Sequence, residues 1–504
     1  MVVTVDRAHR NRLAADLGAV NHQQMPLLEA LGRYQETIAA PFSAPGHKRG
    51  IGASGDLQAL LGEDALAADV WLGISAHDPA QRAAEDLAAN AWGADRTFFL
   101  VNGSTSGTHA FLLSTLEPGD EVVIARDVHQ SVLTGLVLTG ARPIWITPQL
   151  HPELDLSLGV DPSDVARALD AHPATKLVVL TSPTYHGVVS NEGAIAAVAH
   201  ARGVAVYVDE AWGAHLPFHP ALPPSALASG ADAAVTSAHK LLATPRQGAL
   251  LHVRNGMVDV DRVATTVRLT QTTSPSLPIL AGLDACRQQM ALEGEGLLER
   301  AIGLAFAARR RLGALPRVTV LGAGQFDSVA FDPTRLVIDV QGLGMTGFAA
   351  EHVLRQRFGV APAMSERTGV VCVITIGDTP ESVDRLVDAF TTLAAERRTI
   401  AGISADTGAW GYRTLLRSGR QVRSPREAFF ARSRTVPLDD AIGQVAAELV
   451  IPYPPGIPAI VPGEILEAET VNYLCEGVRH GMHLRGAADP ELGTIRMVLE
   501  EVSY

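Results

Sequence analysis

Cysteine is scarce in this chain: Cys286, Cys372 and Cys475 stand far apart, with no CxxC spacing. That argues against a disulfide scaffold and against a zinc site, so no metal is expected, and it fits a reducing cytoplasm. Long apolar runs are missing too. No uncharged apolar stretch reaches the ~18 residues of a membrane span. Asp6, Arg7, Arg10 and Arg12 stand where a signal peptide needs an apolar core. The chain therefore reads as soluble and cytoplasmic, with no membrane partner. Basic charge is also short, with 41 Lys+Arg against 54 Asp+Glu, a formal net charge of -13 and a pI near 5.7. That balance argues against nucleic acid and anionic membrane as partners. It suits a pocket for cationic ligands, although most such charge is solvated surface. Internal repeats and low-complexity tracts are absent as well. What is there is 504 residues, 47% hydrophobic, a length for about three domains.

The first forty or so residues read as a helical arm with Leu27, Leu28 and Leu31 as its apolar stripe. The Pro/Gly loop from Ala44 to Gly50 carries three basic side chains and reads as a solvated turn. Strands are expected at Thr97 to Val101, Glu121 to Ile124, Pro143 to Ile146 and Lys176 to Leu180, then at Val204 to Val208, Ala233 to Thr236 and Gly248 to Val253. Helical patterns cover Pro79 to Trp92, Asp161 to Ala171 and Glu192 to Ala201. Apolar strands alternating with helices predict an α/β fold with a mostly parallel sheet covered on both faces.

A long helical stretch through Arg287 to Arg311 leads into a second, smaller α/β pattern. Its strands are expected at Val318 to Leu321, Arg335 to Val340 and Val370 to Ile376, with helices at Thr346 to Phe358 and Pro380 to Ala395. A polar boundary near Arg420 to Pro425 opens a last segment. There, Ile451 to Pro458 and Val461 to Glu464 hold so much proline that regular structure is not expected, only a rigid loop or a linker.

In parallel sheets ligands sit at the carboxyl ends of the strands, and polar residues gather there in this chain. The run Ala233-Ala234-Val235 leads into Thr236-Ser237-Ala238-His239-Lys240, a lysine just past a buried strand. Desolvation lowers an ammonium pKa, so such a site suits Schiff-base chemistry. Upstream, Val204 to Val208 ends in Asp209-Glu210-Ala211-Trp212. An acid at one strand end and a lysine at the next are the pair that pyridoxal 5'-phosphate needs. The carboxylate keeps the pyridine nitrogen protonated and the amine holds the aldehyde. Asn102-Gly103-Ser104-Thr105-Ser106-Gly107, between a strand and a helix, is either a phosphate cradle or a plain N-cap with a flexible turn. His129 is either a satisfied structural histidine or a ring stacked on a flat cofactor, with the Ala211 methyl against the other face.

With these residues the chain resembles the prokaryotic ornithine/lysine/arginine decarboxylases, pyridoxal-phosphate enzymes of the aspartate-aminotransferase fold (fold type I). The resemblance runs from about Pro45 to the C-terminus. Its most specific pieces are Ser237-Ala238-His239-Lys240, Asp209 to Trp212 and the proline loop from Tyr453 to Glu464; Asp332 to Leu336 and Ser424 to Phe430 support it. The chain is similar to the short form, without an N-terminal receiver-like domain. The boundaries expected are a helical arm over 1–44, a cofactor-binding large domain over 45–285, a small α/β domain over 286–415 and a C-terminal α+β segment over 416–504.

The resemblance implies residue roles. Lys240 would be the Schiff-base lysine, Asp209 the partner of the pyridine nitrogen, and His129 the stacking ring that helps set up the reaction. Ser104, Thr105, Ser106, Ser237 and His239 would hold the phosphate, Ala211 would lie under the ring, and Trp212 near its phenolic oxygen. Thr273 and Ser274 would reach the phosphate of the neighbouring subunit, which implies a homodimer or higher homo-oligomer with shared active sites. The pattern is not intact: Gln130 follows the histidine where the family often has lysine, and Arg246 precedes Gln247 where small or hydroxyl residues are usual.

The reaction implied is decarboxylation of a basic amino acid, arginine ahead of lysine or ornithine, to the amine and CO2, as in polyamine biosynthesis. Glu366 is the candidate partner for the substrate's distal cation; the alternative is an exposed loop charge paired with Arg367. Aldol cleavage, β-elimination and transamination run on the same scaffold. A catalytically silent binding subunit is the reading from a different class.

Overall fold

The computed structural model describes residues 20–151, 155–322, 329–396, 411–417, 419–453 and 456–499. Residues 1–19 of the expected arm, and Pro454 and Pro455 of the proline loop, lie outside them. Helix α1 (Pro26–Thr37) buries Leu27, Ala30 and Leu31. The Leu27 amide donates to Asp284 Oδ2 at 3.0 Å, and the buried Arg287 donates to the carbonyls of His22 (2.8 Å) and Gln24 (2.5 Å). The arm is thereby pinned to a much later helix. Helix α2 (Ile74–Trp92) starts ahead of Pro79 and carries that proline inside. Its first three residues are exposed, with Ile74 at 67%, so no apolar period marks its start.

The central sheet takes β1 (Arg96–Leu100), β2 (Glu121–Ala125), β3 (Arg142–Ile146), β4 (Leu177–Thr181), β6 (Ala205–Asp209), β7 (Ala233–Thr236) and β8 (Ala249–Val253) in the order β1-β8-β7-β6-β4-β2-β3. The short β5 (Val188–Val189) lies outside it and pairs with β10 (Ala330–Phe331). Strands β4 and β6 are buried at every position, as a sheet covered on both faces requires. Helices α3 (Gly103–Thr115), α4 (Gln130–Thr139), α5 (Pro162–Ala171) and α6 (Glu192–His200) supply crossovers. Only β8 is reversed within the sheet, antiparallel to both β7 and β1. The link from β7 to β8 is too short for a helical crossover, so the chain turns straight back.

Helix α7 (Leu277–Gly313) leads to a second sheet of β9 (Thr319–Leu321), β11 (Arg335–Asp339), β12 (Met364–Ser365) and β13 (Gly369–Val373), ordered β12-β13-β11-β9 and antiparallel throughout. Helix α8 (Pro380–Ala395) covers it with α7, burying Val383, Leu386 and Phe390. The expected helix over Thr346 to Phe358 is α-helical for Gly347–Val353 and widens to a π-helix over Leu354–Phe358.

The C-terminal segment holds two ribbons, β14 (Ser433–Pro437) with β17 (Thr494–Val498), and β15 (Ile451–Tyr453) with β16 (His483–Arg485), beside helix α9 (Ala468–Arg479). The expectation that the proline-rich run lacks regular structure is corrected here: Ile451–Tyr453 is a strand. A two-stranded ribbon leaves one edge of each strand unpaired, where a proline without an N–H is tolerated.

Candidate active site

Strands β1, β2, β4, β6 and β7 run parallel, so their carboxyl ends share one sheet edge. Lys240 lies just past β7 in the single turn Ala238–Leu241. That turn is held by Gly248, whose carbonyl accepts the His239 backbone N–H at 3.2 Å and lies 2.9 Å from its Nδ1. Lysine is rare in this protein, which has only Lys48, Lys176 and Lys240. The Lys240 Nζ sits 4.3 Å from the centre of the Trp212 ring. Burial lowers this ammonium to about 8; the Asp209 carboxylate opposes that and Arg335 adds to it. Near neutral pH a usable fraction of the amine is therefore uncharged.

Asp209 ends β6, buried, with its Oδ1 accepting the Ala211 N–H at 3.1 Å. Burial raises its carboxyl, against the pull of Lys240 and of that N–H. Ala211 is buried beside it. Trp212 Nε1 and Thr181 Oγ1 are buried without partners in the same region. Unpartnered buried polar atoms beside an amine suit a polar ligand.

For His129 the structural role is seen directly, and one side of the ring stays open for the other. Its Nδ1 accepts the Ser131 N–H at 3.2 Å and lies 2.9 Å from Ser131 Oγ, capping α4. The acceptor role of Nδ1 leaves the ring proton on Nε2. Burial, then the Lys240 charge, then His109, push its pKa down to about 3. The ring is neutral, and half of it is still unused.

The loop before α3 departs from a plain N-cap, because Asn102 makes no capping bond with its side chain. Gly103 takes φ +70°, which favours glycine. Ser237 Oγ donates to Ser104 Oγ at 2.9 Å, so hydroxyls from β7 and α3 meet. The half-buried His239 lies beside them past Ser237. Thr105 is exposed, and Ser106 donates its hydroxyl to the Gly103 carbonyl. The Gly103 N–H is taken by the Gln247 carbonyl at 2.9 Å, and the two hydroxyls with the later first-turn amides are the donor set an anion needs. Thr273 and Ser274 are exposed and stay apart from this cluster within one chain, Ser274 bonding only to Thr272. Arg246 faces solvent.

Glu366 is neither exposed nor paired with Arg367. Its Oε1 lies 2.6 Å from Nε2 of the buried His186, while Arg367 pairs with Asp155 at 3.1 Å. The Tyr412 ring stands 5.4 Å from His186, edge-on.

Several residues here escaped sequence reasoning. Arg126, fully buried, donates to the carbonyls of Pro458 (2.5 Å) and Ala459 (3.3 Å) and lies 3.5 Å from Glu464. It brings the proline loop onto the site: Gln130 N–H donates to the Gly456 carbonyl at 3.3 Å, and a Cβ on Gly456 would stand 3.4 Å from His129 Cδ2. Arg335, also fully buried, places its guanidinium carbon 4.9 Å from the Trp212 ring centre and donates to the Trp212 carbonyl at 2.8 Å. A signal was present for both, since each is a cation joined directly to an apolar strand run.

Residues 25–382 match the model described as Orn/Lys/Arg decarboxylase, major domain, and 414–486 match the C-terminal domain of the same family. A protein of Halalkalibacterium halodurans named arginine decarboxylase is 36% identical, covering 95% of this chain and 98% of its own length. The arginine decarboxylase of Bacillus subtilis is also 36% identical, over 96% and 99%. In fold, the chain is similar to the constitutive lysine decarboxylase of Escherichia coli, with a TM-score of 0.79 at 20% identity, covering 95% of this chain and 82% of that one.

Proposed function

Because the chain belongs to the Orn/Lys/Arg decarboxylase family, we propose that it decarboxylates arginine, using pyridoxal 5'-phosphate held by Lys240. The observation that carries this reading is the half-buried Lys240 amine, drawn down to about 8 beside Asp209 and against Trp212. The arginine preference rests on the relatives of that name, which cover nearly all of this chain. Lysine and ornithine stand behind it.

When bound, the cofactor supplies an aldehyde that captures amines and a pyridinium that accepts the electron pair left as CO2 departs. The residues present fit such a group. Lys240 offers a partly neutral amine. Asp209, kept dry, holds its charge against the pyridine nitrogen. Ser104, Ser237, His239 and the amides at the α3 start receive the phosphate, with Thr105 and Ser106 at the rim of that cradle. Ala211 leaves room under the ring, and Trp212 Nε1 is a free donor for a phenolic oxygen. His129, neutral and fixed through Nδ1, keeps the opposite face flat and water-free, with an Nε2 proton available at the reacting centre. Glu366, sharing its charge with His186, makes one acidic wall for a cationic side chain.

The chain acts, on this reading, as a homodimer. Phe42 (97% exposed), Ile51 (86%) and Leu269 (78%) are large apolar side chains facing solvent in one chain, which suits a buried interface. Thr273 and Ser274, near Leu269, would then reach the partner's phosphate. Light scattering checks this part: a monomer at micromolar concentration would remove it.

The test of function is product analysis with arginine, lysine and ornithine supplied separately to the cofactor-loaded protein. Agmatine is expected first. Absence of agmatine, cadaverine and putrescine from a cofactor-bound protein would overturn the reading and turn attention to aldol cleavage, β-elimination or transamination.

A further inference from the structure

One buried acid has no use in the account above. Asp127 lies two residues before His129, just past β2, and is buried. Its Oδ2 accepts the Ser157 hydroxyl at 2.8 Å, while its Oδ1 is buried with no partner. Among the described residues no cationic side chain pairs with it. The Tyr412 hydroxyl is buried and unpartnered too. Tyr412 feels the charges of both Glu366 and Asp127, and Tyr185 those of Asp209 and Asp127. An acidic field thus extends from Asp209 by way of Tyr185 to Asp127, Tyr412 and Glu366. Within it Glu366 is already engaged by His186 at 2.6 Å. Asp127 is the acid with an oxygen to spare.

An unpaired buried carboxylate is unfavourable until a cation arrives. A site with such a group rejects a ligand that leaves it unpaired more strongly than one that merely fits less well. We infer that Asp127 is a specificity-determining acid of this site, its free Oδ1, together with the Tyr412 hydroxyl, receiving the distal guanidinium or ammonium of the substrate. This rests on the decarboxylase reading for the identity of the substrate, though not for the cation preference itself. The competing role is structural, with Asp127 serving only to hold Ser157.

Asp127→Asn separates the two, because the amide carbonyl still accepts the Ser157 hydroxyl while the charge is gone. Citrulline, the neutral counterpart of arginine, is the comparison substrate. The ratio of kcat/KM for arginine over citrulline should fall at least about tenfold in Asp127→Asn, the size expected for losing one hydrogen bond to a charged group. In Ser157→Ala, which removes the anchor and keeps the charge, the ratio should hold. A ratio unchanged in Asp127→Asn, or lost equally in Ser157→Ala, overturns the assignment. Calorimetric titration of agmatine, which has the guanidinium and no carboxylate, reads the same point without turnover. Wild type should bind it at least about tenfold more tightly than Asp127→Asn; equal binding, or none by wild type, overturns the assignment. A wild type that binds agmatine yet releases no CO2 from any basic amino acid would remove the decarboxylase reading and leave this assignment standing.

Discussion

The two ends of the site are built in different ways. Around Lys240, each group is placed by one sheet: Asp209 ends β6, Lys240 follows β7, and Ser104 follows β1. Around Asp127, the groups come from the loop after β2, from Ser157, His186, Glu366 and Tyr412, and from the C-terminal proline loop tied down by Arg126. The first end is local and partly balanced in charge, since Asp209 and Lys240 act on one another. The second is assembled from distant segments and keeps unpartnered atoms. Chemistry common to many substrates suits a rigid sheet edge, whereas selection among substrates suits a junction of separate segments.

Changes at the local end should be the most severe. Lys240→Ala removes the amine altogether. Turnover should fall by more than about a thousandfold, with no cofactor fixed to the protein by borohydride reduction. Residual activity within tenfold of wild type would show that another group does this work. Arg126→Met tests the assembled end instead. It leaves Glu464 and the Pro458 and Ala459 carbonyls buried without their partner, at a cost of about 3–5 kcal/mol. Denaturant unfolding should report that loss, and Glu464→Gln in the same chain should restore part of it. If Arg126→Met unfolds like wild type, the proline loop is held by something else.

How much of this could be read in advance follows the same division. Lys240, Asp209 and the Ser104 loop were legible because each continues an apolar run whose strand is continuous in sequence. Glu366 was visible as an acid for a substrate cation, and the alternative partner weighed for it was the adjacent Arg367. The observed partner, His186, comes from far along the chain, and sequence spacing carries no information on such pairs. Asp127 stood in plain view beside His129, yet only burial and an unmatched oxygen single it out. The strand within the proline run was missed because proline argues against strands in general, and the edge exception depends on pairing. The start of α2 escaped because its first three residues face water.

Gly107 ties the sheet-built end to packing. A Cβ there would stand 2.6 Å from Leu100 Cδ1 and 2.7 Å from Val235 Cγ2, so α3 approaches the sheet as closely as it does only with glycine. Gly107→Ala should cost about 1–3 kcal/mol by overpacking and weaken cofactor retention, since Ser104 rides on the same helix. Equilibrium unfolding and cofactor release by absorbance check both parts; an unchanged protein would mean that Leu100 and Val235 yield freely.

The smallest effect concerns pH, and here the two kinds of buried group oppose each other. His129 and His252 have folded pKa values lowered by burial to about 3. Below the ordinary value of about 6.5 the unfolded chain takes up protons that the fold refuses, so these residues make stability rise with pH up to that point. Glu85 and Glu464 are raised by burial to about 7, and Glu192 is raised as well. Carboxyls raised in the fold contribute stability that is full below their unfolded values and is lost as pH rises through about 7. The histidines have finished titrating in the unfolded chain where the carboxyls are still losing their contribution. Between about pH 5 and 6.5 the three carboxyls outweigh the two histidines, so the melting temperature should peak near pH 5 and decline by about a degree or more toward pH 8. Glu464→Gln, which carries no charge to lose, should flatten that decline, whereas His129→Gln should change only the acid side. A melting curve that keeps rising from pH 6.5 to 8 would mean that water reaches these carboxyls and that Arg126 already holds Glu464 as a full ion pair.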